Sequence, residues 1–405
     1  MRRPVKSDRA LVLFFGAFAA AQNMSWPTVS RDRDRAFKHA GKFSVPRVAR
    51  PPFSLSRTKA PGPSSAREAF HPPVGRTTEI TGLHGDVTRY TSSDFELEWV
   101  NHTRRDGICK LATSAAHLQR ARDWLSYSRA VFRPNGEPPR RPTEAEMAVL
   151  SHFRASAHPE PIEPLSGVAR HPLVRKACDF PKGVETADNF DITYLVLHNA
   201  CGQRGGFDRS RGGRVKFFDL GASEGFRGIP GGVPDATPDR GGGLTPSIPL
   251  FYRMYEDRCL TFDEIYGWEI DTKITPTAWW GSLPPEIRRK VHFYEVPVNE
   301  GREAVSGVDT PRPDSFIQFL KATVTQEDFV VVKVDIDTPA IELAIVEAIA
   351  ARPELSSLID EIFFEYHFYF DGRYIGWTET HNDVDDALRL MLRLRQAGVR
   401  AHFWI

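Results

Sequence analysis

The C-terminal half of the chain alternates short, continuously apolar segments with longer segments whose apolar residues recur at helical spacing. Short apolar runs are typical of buried strands, and a 3.6-residue period is typical of helices that cover a sheet. Strands and helices in alternation predict βαβ units and a mostly parallel sheet. The predicted strands are 215–221, 262–270, 291–297, 329–337, 360–368 and 399–405. The predicted helices are 247–259, 284–290, 313–322, 340–350 and 383–397.

The last predicted helix shows the pattern most clearly. Val384, Leu388 and Leu394 repeat at near-helical spacing, and Gly398 follows as a helix stop. We therefore expect a Rossmann-like, doubly wound α/β domain with a mostly parallel sheet over residues 210–405. Right-handed crossovers in such a sheet place ligands at the carboxyl ends of its strands.

The middle of the chain, residues 79–209, predicts a helical accessory region. The segment 108–132 has apolar residues near a helical period. Residues 143–146 form a capping-box pattern that opens a helix through about Ala157, and 188–201 is a further helix candidate. The expected architecture is thus an N-terminal helical extension on the α/β domain.

The N-terminus has the pattern of a targeting segment. Residues 1–9 carry four basic side chains and one acidic one, and residues 10–21 are an unbroken apolar run. A helix of that length spans about 18 Å, well short of the ~30 Å hydrocarbon core of a membrane. This favours a signal peptide over residues 1–21, with a short signal anchor or an ordinary buried helix as alternatives. Membrane contact is expected only through this segment.

Residues 22–78 combine Pro, Arg and Ser without an apolar period, which predicts a disordered linker. Behind a signal or an anchor it would serve as a stem, and this indicates the endomembrane lumen (Golgi or endoplasmic reticulum) or secretion. An Arg- and Ser-rich segment that is poor in acids also fits an organelle transit peptide, so a plastid location stays open.

Composition narrows the class of protein. The 405 residues are 41% hydrophobic and 26% charged with a formal net charge of +1, which argues against wholesale disorder, collagen-like repeats and a multi-span membrane protein. Residues 22–76 hold eleven Lys and Arg against three Asp and Glu, so the remainder of the chain is net acidic and a nucleic-acid partner is not expected. Four cysteines without a CxxC pair argue against a disulfide-dense scaffold and a zinc ribbon. The sequence does not set the oligomeric state.

Acidic residues end the first three predicted strands. Asp219 precedes the glycine turn 221–225, where positive φ and missing Cβ atoms let the backbone approach a ligand closely. Glu269 ends the next strand, where a carboxylate can accept hydrogen bonds from both ribose hydroxyls of a nucleoside. Glu295 ends the third. Strand tips are also polar simply because they meet solvent, and this alternative is strongest for Glu295.

Two later strands end in further candidates. Lys333, Asp335 and Asp337 close one strand, and Glu365 and His367 close the next. The three carboxylates are of the type that holds a divalent cation such as Mg²⁺ or Mn²⁺. His367 titrates near neutral pH and is a candidate general base, with a packed residue in an aromatic run as the alternative. Lys333 qualifies as a base only if burial lowers its pKa.

These motifs resemble those of a known family. The run FFDLGASEG looks like the first motif of class I S-adenosylmethionine-dependent methyltransferases, and DLGAxxG followed by VKVDID and then Glu342 resembles the FkbM-like members. The resemblance covers residues 213–405. The segments FEYH and AHFWI are similar to tails of methyltransferase-like proteins of algae and similar eukaryotes.

The resemblance implies a cofactor, S-adenosyl-L-methionine, and an acceptor. In such enzymes the first strand end surrounds the methionine part, the second binds ribose and the third lies near adenine. Carried onto this sequence, the cofactor-binding residues are Asp219, Gly221, Ala222, Gly225, Glu269 and Glu295. The sulfonium methyl is already activated, so alignment of the acceptor does most of the work. A lumenal location together with the family suggests O-methylation of a glycan or a small-molecule hydroxyl.

The sequence departs from the family in two places. Thr338 and Pro339 lengthen the segment before Glu342, and residues 226–246 form a Gly- and Pro-rich insertion after the glycine turn. The insertion is consistent with a lid or substrate loop, or with a cofactor pocket that is altered or lost. Two rival functions therefore stay open: a lumenal glycosyltransferase whose Asp335–Ile336–Asp337 holds a metal on a nucleotide sugar, and a non-catalytic binding domain.

Overall fold

The structure is a computed structural model. It describes residues 77–81, 87–102, 107–154, 159–170, 192–202, 212–222, 247–270, 283–299, 314–368 and 383–404. All of them belong to one compact unit, Phe70–Ile405. The predicted signal segment, residues 22–76 of the predicted linker, Gly225 and the insertion 226–246 lie outside the described residues. Thr77 and Thr78, the last two residues of that predicted linker, belong to strand β1.

The structure contains a small antiparallel sheet, a large parallel sheet and ten α-helices within the described ranges. The strands are β1 Thr77–Thr81, β2 Val87–Thr91, β3 Ser151–Arg154, β4 Glu160–Ile162, β5 Val215–Leu220, β6 Glu264–Trp268, β7 Val291–Tyr294, β8 Phe329–Val334, β9 Glu361–Glu365 and β10 Arg400–Trp404. The helices are α1 Asp94–His102, α2 Gly107–Thr113, α3 Ala115–Val131, α4 Glu144–Val149, α5 Ser247–Glu256, α6 Pro285–Arg288, α7 Phe316–Thr323, α8 Pro339–Ala351, α9 Pro353–Ser356 and α10 Val384–Gln396, with a 3₁₀ helix at Leu165–Arg170.

The large sheet has the order β10-β9-β8-β5-β6-β7, and every neighbouring pair is parallel. Counted in chain order from β5, this is the 3-2-1-4-5-6 order of doubly wound, Rossmann-like sheets. The mixed α/β fold and the parallel sheet predicted from the sequence are therefore confirmed. Strand β10 pairs directly with β9, and no antiparallel strand joins this sheet among the residues that the structure describes.

Helices cover both faces of the large sheet. Phe217 and Phe218 are adjacent in β5, so their side chains point to opposite faces. The Phe217 ring stacks on Phe251 of α5 at 4.7 Å between centroids, whereas the Phe218 ring meets Phe319 of α7 edge-on at 6.4 Å. Both β5 and β8 are buried along their whole length, which is why their sequences are almost continuously apolar.

Two predicted helices before β5 are wrong in part. The capping box at Thr143 and Glu146 is present, but the helix ends at Val149 rather than near Ala157. The chain then becomes strand β3, which pairs with β2 and β4. Of the helix predicted over 188–201, residues 192–201 are described, and they are irregular. The helix predicted over 108–132 forms as α2 and α3 with a break at Ser114.

A buried ionic network joins the N-terminal elements to the large sheet. His402 of β10 lies between two carboxylates, 2.6 Å from Glu163 and 2.8 Å from Glu361. Arg395 of α10 reaches Glu96 of α1 at 2.8 Å. These side chains are at most 2% exposed, so each charge depends on its partners rather than on water.

Cys201 and Cys259 form a disulfide that closes a 58-residue separation. The sequence analysis did not predict this bond, because cysteine spacing does not fix pairing. Within the described residues, no helix combines the length and the apolar character needed to span a bilayer.

Candidate functional site

The candidate site lies where the strand order of the large sheet reverses. Successive strands run outward from β5 in one direction and from β8 in the other, and β5 and β8 pair directly. In open α/β sheets, ligands bind outside the carboxyl ends of the strands at this switch point. Asp219 and Lys333 face each other in register across it.

Gly221 allows the end of β5 to touch the segment after β8. Its φ is +98°, and a Cβ atom added there would lie 1.6 Å from the carbonyl oxygen of Asp335. The Asp335 amide donates to the carbonyl of Leu220 at 2.9 Å, which fixes this close approach. Position 221 therefore requires glycine on both conformational and steric grounds.

The described residues of the glycine turn, Gly221 and Ala222, are also bound to the end of β6. The amides of Gly221 and Ala222 both donate to the Trp268 carbonyl, at 3.1 and 2.8 Å, and Ala222 is fully buried. These two amides are engaged within the protein, so they hold the turn in position next to Glu269.

Asp219 is fully buried and held by other side chains. Lys333 donates to it at 3.2 Å, and the hydroxyl of Ser247, the first residue of α5, donates to its other oxygen. Burial raises the pKa of Asp219 above its ordinary value, although Lys333 and Ser247 counteract this. The carboxylate therefore fixes the turn and the start of α5 instead of facing an open cavity.

Lys333 stays charged in this environment. Burial alone lowers its pKa, but the carboxylates of Asp219 and Asp335, the latter 2.8 Å away, raise the pKa above its ordinary value. The sequence analysis made a base role for Lys333 depend on a lowered pKa, and the raised pKa does not meet that condition. Lys333 also donates to the Gly221 carbonyl at 3.1 Å, which links the ends of β5 and β8.

Asp335 and Glu365 share a hydrogen bond across the ends of β8 and β9. Burial raises the pKa of Asp335, but Lys333 and the hydrogen bond from Glu365 lower it below its ordinary value. Burial and the charge of Asp335 raise the pKa of Glu365 well above its ordinary value. Glu365 therefore carries the proton of this pair and Asp335 the charge.

His367 lies against two carboxylates. Its Nε2 atom is 3.2 Å from Glu342 Oε2 and 3.7 Å from Glu365 Oε2. Glu342, fully buried in the first turn of α8, accepts the Ile336 amide at 2.6 Å through its other oxygen. This bond holds the segment after β8 in place and fixes the carboxylate beside the imidazole.

Asp337 completes a cluster with Glu365 and His367. One ligand-type atom from each lies within 4.8 Å of the others. Asp337 is exposed and has a φ of +55°, an uncommon conformation for a residue with a side chain. Neighbouring residues partly shield the Asp337 carboxylate from water, and this desolvation and the charge of Asp335 raise its pKa. Of the three carboxylates predicted as metal ligands, Asp337 and Glu365 lie in this cluster, while Asp335 is bound to Lys333.

The predicted nucleoside contacts lie on the other side of the switch point. Glu269 follows β6 and is half-buried, and its carboxylate accepts the Ile270 amide at 2.7 Å. Its amide donates to the Tyr294 carbonyl at 3.2 Å, so Glu269 still extends the sheet. Glu295, after β7, is exposed.

Sequence reasoning missed Ser247, which binds Asp219 across the sheet. The residue begins α5 after a long insertion, and no local pattern marks it as a partner of β5. It also assigned no role to the contact of Glu342 with His367, which depends on packing between α8 and the end of β9.

Comparisons with protein-family models, with curated proteins and with solved structures find no match to this chain.

Proposed function

We propose that this protein is an S-adenosylmethionine-dependent methyltransferase of the class I type that methylates a hydroxyl of a glycan or a small molecule. One observation carries the proposal: the glycine turn after β5 and the carboxylate after β6 lie side by side at the switch point of a doubly wound sheet. That is where such folds bind nucleoside-containing ligands.

The residues present fit this cofactor. Gly221 brings two chain segments together without a Cβ, and Glu269 follows the neighbouring strand, where its carboxylate can accept both ribose hydroxyls. Asp219 supports the turn from beneath through Lys333 and Ser247. The cofactor would supply the activated methyl group, and the chain would supply alignment.

The acceptor hydroxyl would lose its proton at the ends of β8 and β9. His367 beside Glu342 is suited to take that proton as a general base, since a carboxylate stabilises the imidazolium that forms. A divalent cation held by the neighbouring carboxylates is the second route. Lys333 is held as a cation and takes no part as a base.

The disulfide supports a lumenal or secreted protein. Bonds such as Cys201–Cys259 form and persist in oxidising compartments. This observation agrees with a signal segment at residues 1–21 followed by a stem, and it favours the endomembrane system over a plastid. No partner other than the acceptor is proposed.

The glycosyltransferase alternative rests on Asp335–Ile336–Asp337 after an apolar strand. Its difficulty is that Asp335 is bound to Lys333 at 2.8 Å, whereas Asp337 groups with Glu365 and His367. A degenerate, non-catalytic domain is the third possibility, and ligand binding separates all three.

The test is calorimetric titration of the full chain with S-adenosylmethionine and, separately, with uridine diphosphate sugars in the presence of Mn²⁺. We expect saturable binding of S-adenosylmethionine at one site per chain and no binding of the nucleotide sugars. Binding of a nucleotide sugar alone would support the glycosyltransferase, and binding of neither would support a non-catalytic domain.

A further inference from the structure

We propose that Asp337, Glu365 and His367 bind one divalent transition-metal ion at the carboxyl ends of β8 and β9. Their ligand-type atoms already lie within 4.8 Å of one another. Atoms held about 2.1 Å from an ion lie about 3.0–3.4 Å apart, so side-chain movements of about 1 Å close the site. In this set His367 takes the place that the sequence assigned to Asp335.

Asp335 is excluded by its own contacts. Its carboxylate binds Lys333 at 2.8 Å and accepts a hydrogen bond from Glu365. An ion that recruited Asp335 would have to displace the ammonium that also holds Asp219.

Acidic side chains surround this cluster. Glu342 lies 3.2 Å from His367, and Asp335 lies 2.8 Å from Lys333 and shares a hydrogen bond with Glu365. Grouped carboxylates repel one another, and a divalent cation bound among them relieves that repulsion.

Glu342 is a second, independent indication. It is fully buried, and within the part of the chain that the structure describes its Oε2 atom accepts no hydrogen bond, although it lies 3.2 Å from His367 Nε2. Glu342 lies against Nε2, so in this site Nδ1 is the nitrogen that binds the ion, and Glu342 orients the imidazole through Nε2 and makes it more basic.

The backbone at Asp337 supports a functional role. Its left-handed conformation (φ +55°) costs roughly 1 kcal/mol or more, and such residues cluster at active sites and ligand clamps. The side chain is exposed, so the solvent side of the site stays open to water or to an oxygen of a substrate, as in catalytic rather than structural metal sites.

The ligand types select among ions. Mg²⁺ and Ca²⁺ prefer oxygen ligands alone, whereas an imidazole with two carboxylates suits Mn²⁺, Fe²⁺ or Zn²⁺. A hydroxyl bound to such an ion ionises more easily and releases its proton to solvent, so this route would replace the general-base role of His367 in activating the acceptor. That role rests on the proposed function, whereas the binding site itself does not.

The experiment is titration of the metal-free full chain with Mn²⁺, with free Mn²⁺ followed by electron paramagnetic resonance and no S-adenosylmethionine present. We expect one saturable Mn²⁺ per chain that excess Mg²⁺ does not displace. Asp337→Asn removes the charge but keeps a residue that tolerates the left-handed backbone, and it should weaken binding at least about tenfold. His367→Gln should do the same.

Two controls make the result decisive. Glu354→Gln changes an exposed carboxylate on α9, which precedes the amino end of β9, and should leave Mn²⁺ binding unchanged. Because Asp337 is exposed, the Asp337→Asn variant reports on binding even if His367→Gln fails to fold. The proposal is overturned if Mn²⁺ does not saturate, if Asp337→Asn binds as tightly as the wild type, or if binding requires Asp335 but not His367. The titration contains no S-adenosylmethionine, so a failure to bind Mn²⁺ leaves the methyltransferase proposal standing. A failure to bind S-adenosylmethionine likewise leaves the proposed metal site standing.

Discussion

At the scale of single residues, the candidate site depends on positions where one side chain, or its absence, decides whether two segments can meet. Gly221 lets the turn after β5 lie against Asp335, and Lys333 neutralises two carboxylates that would otherwise repel each other. Sequence patterns located both residues. They could not predict that Lys333 is held as a cation, because its pKa depends on the two carboxylates that the fold brings to it.

Gly221→Ala tests the close approach at the switch point. The new methyl group would meet the Asp335 carbonyl, so strain and overpacking should together cost at least about 3 kcal/mol of unfolding free energy. Gly212→Ala is the matched control, because φ there is +87° but nothing lies within 4 Å of the added Cβ. It should lose only about 1–2 kcal/mol. Urea unfolding measures both, and equal losses would contradict the steric account.

At the scale of elements, the alternation of short apolar segments with helical segments predicted the large sheet. The pattern is clear because the strands are buried on both faces and the helices are buried on one face. The same reasoning failed at residues 192–201. Leu195 and Val196 are buried there as the apolar pattern predicts, but the Val196 amide donates to Glu163 and its carbonyl accepts from Arg400. Side chains distant in sequence satisfy this backbone, so it needs no helix.

The small antiparallel sheet escaped prediction for a related reason. Strands β3 and β4 contain four and three residues, too few to show a clear alternation. The helix pattern after Thr143 continued through β3, where pairing with β2 and β4 outweighs local helix propensity.

The ionic network between the N-terminal elements and the large sheet makes stability depend on pH. Burial lowers the pKa of His402, but Glu163 and Glu361 raise it above the ordinary value of 6.5. Because the folded pKa lies above the unfolded one, this contribution is complete below about pH 6.5 and is lost as pH rises through the folded pKa. Burial raises the pKa of Glu361, but His402 lowers it to about 2, so its contribution is lost only as pH falls from about 4.5 towards 2.

We expect the unfolding free energy of the wild type to fall as pH rises above about 6.5 and through the raised pKa of His402, and His402→Gln to lose that dependence. The variant should also be about 3–5 kcal/mol less stable at neutral pH, because it removes the cation between two buried carboxylates. Their remaining cationic contacts are longer, with Arg395 3.4 Å from Glu163 and Arg400 3.6 Å from Glu361. Denaturant titrations at several pH values measure both effects. Parallel pH profiles for the two proteins would show that His402 is not charged in the fold.

At the scale of the whole molecule, the carboxyl ends of the central strands divide into two neighbouring sites. The ends of β5 and β6 hold the glycine turn and Glu269, and the ends of β8 and β9 hold the cluster of Asp337, Glu365 and His367. Lys333 joins them by contacting both Gly221 and Asp335. The proposed methyl transfer assigns the cofactor to the first of these groups and activation of the acceptor to the second.

The most direct test of this account compares the affinity of the full chain for S-adenosylmethionine with that of two variants, by calorimetry. Glu269→Ala removes the carboxylate expected to accept both ribose hydroxyls, each bond worth roughly 1.5–3 kcal/mol. Affinity should therefore fall at least about tenfold, while Glu286→Ala, which changes an exposed acid on α6, should bind like the wild type. Unchanged affinity in Glu269→Ala would remove this residue from the site and contradict a cofactor bound at the ends of β5 and β6.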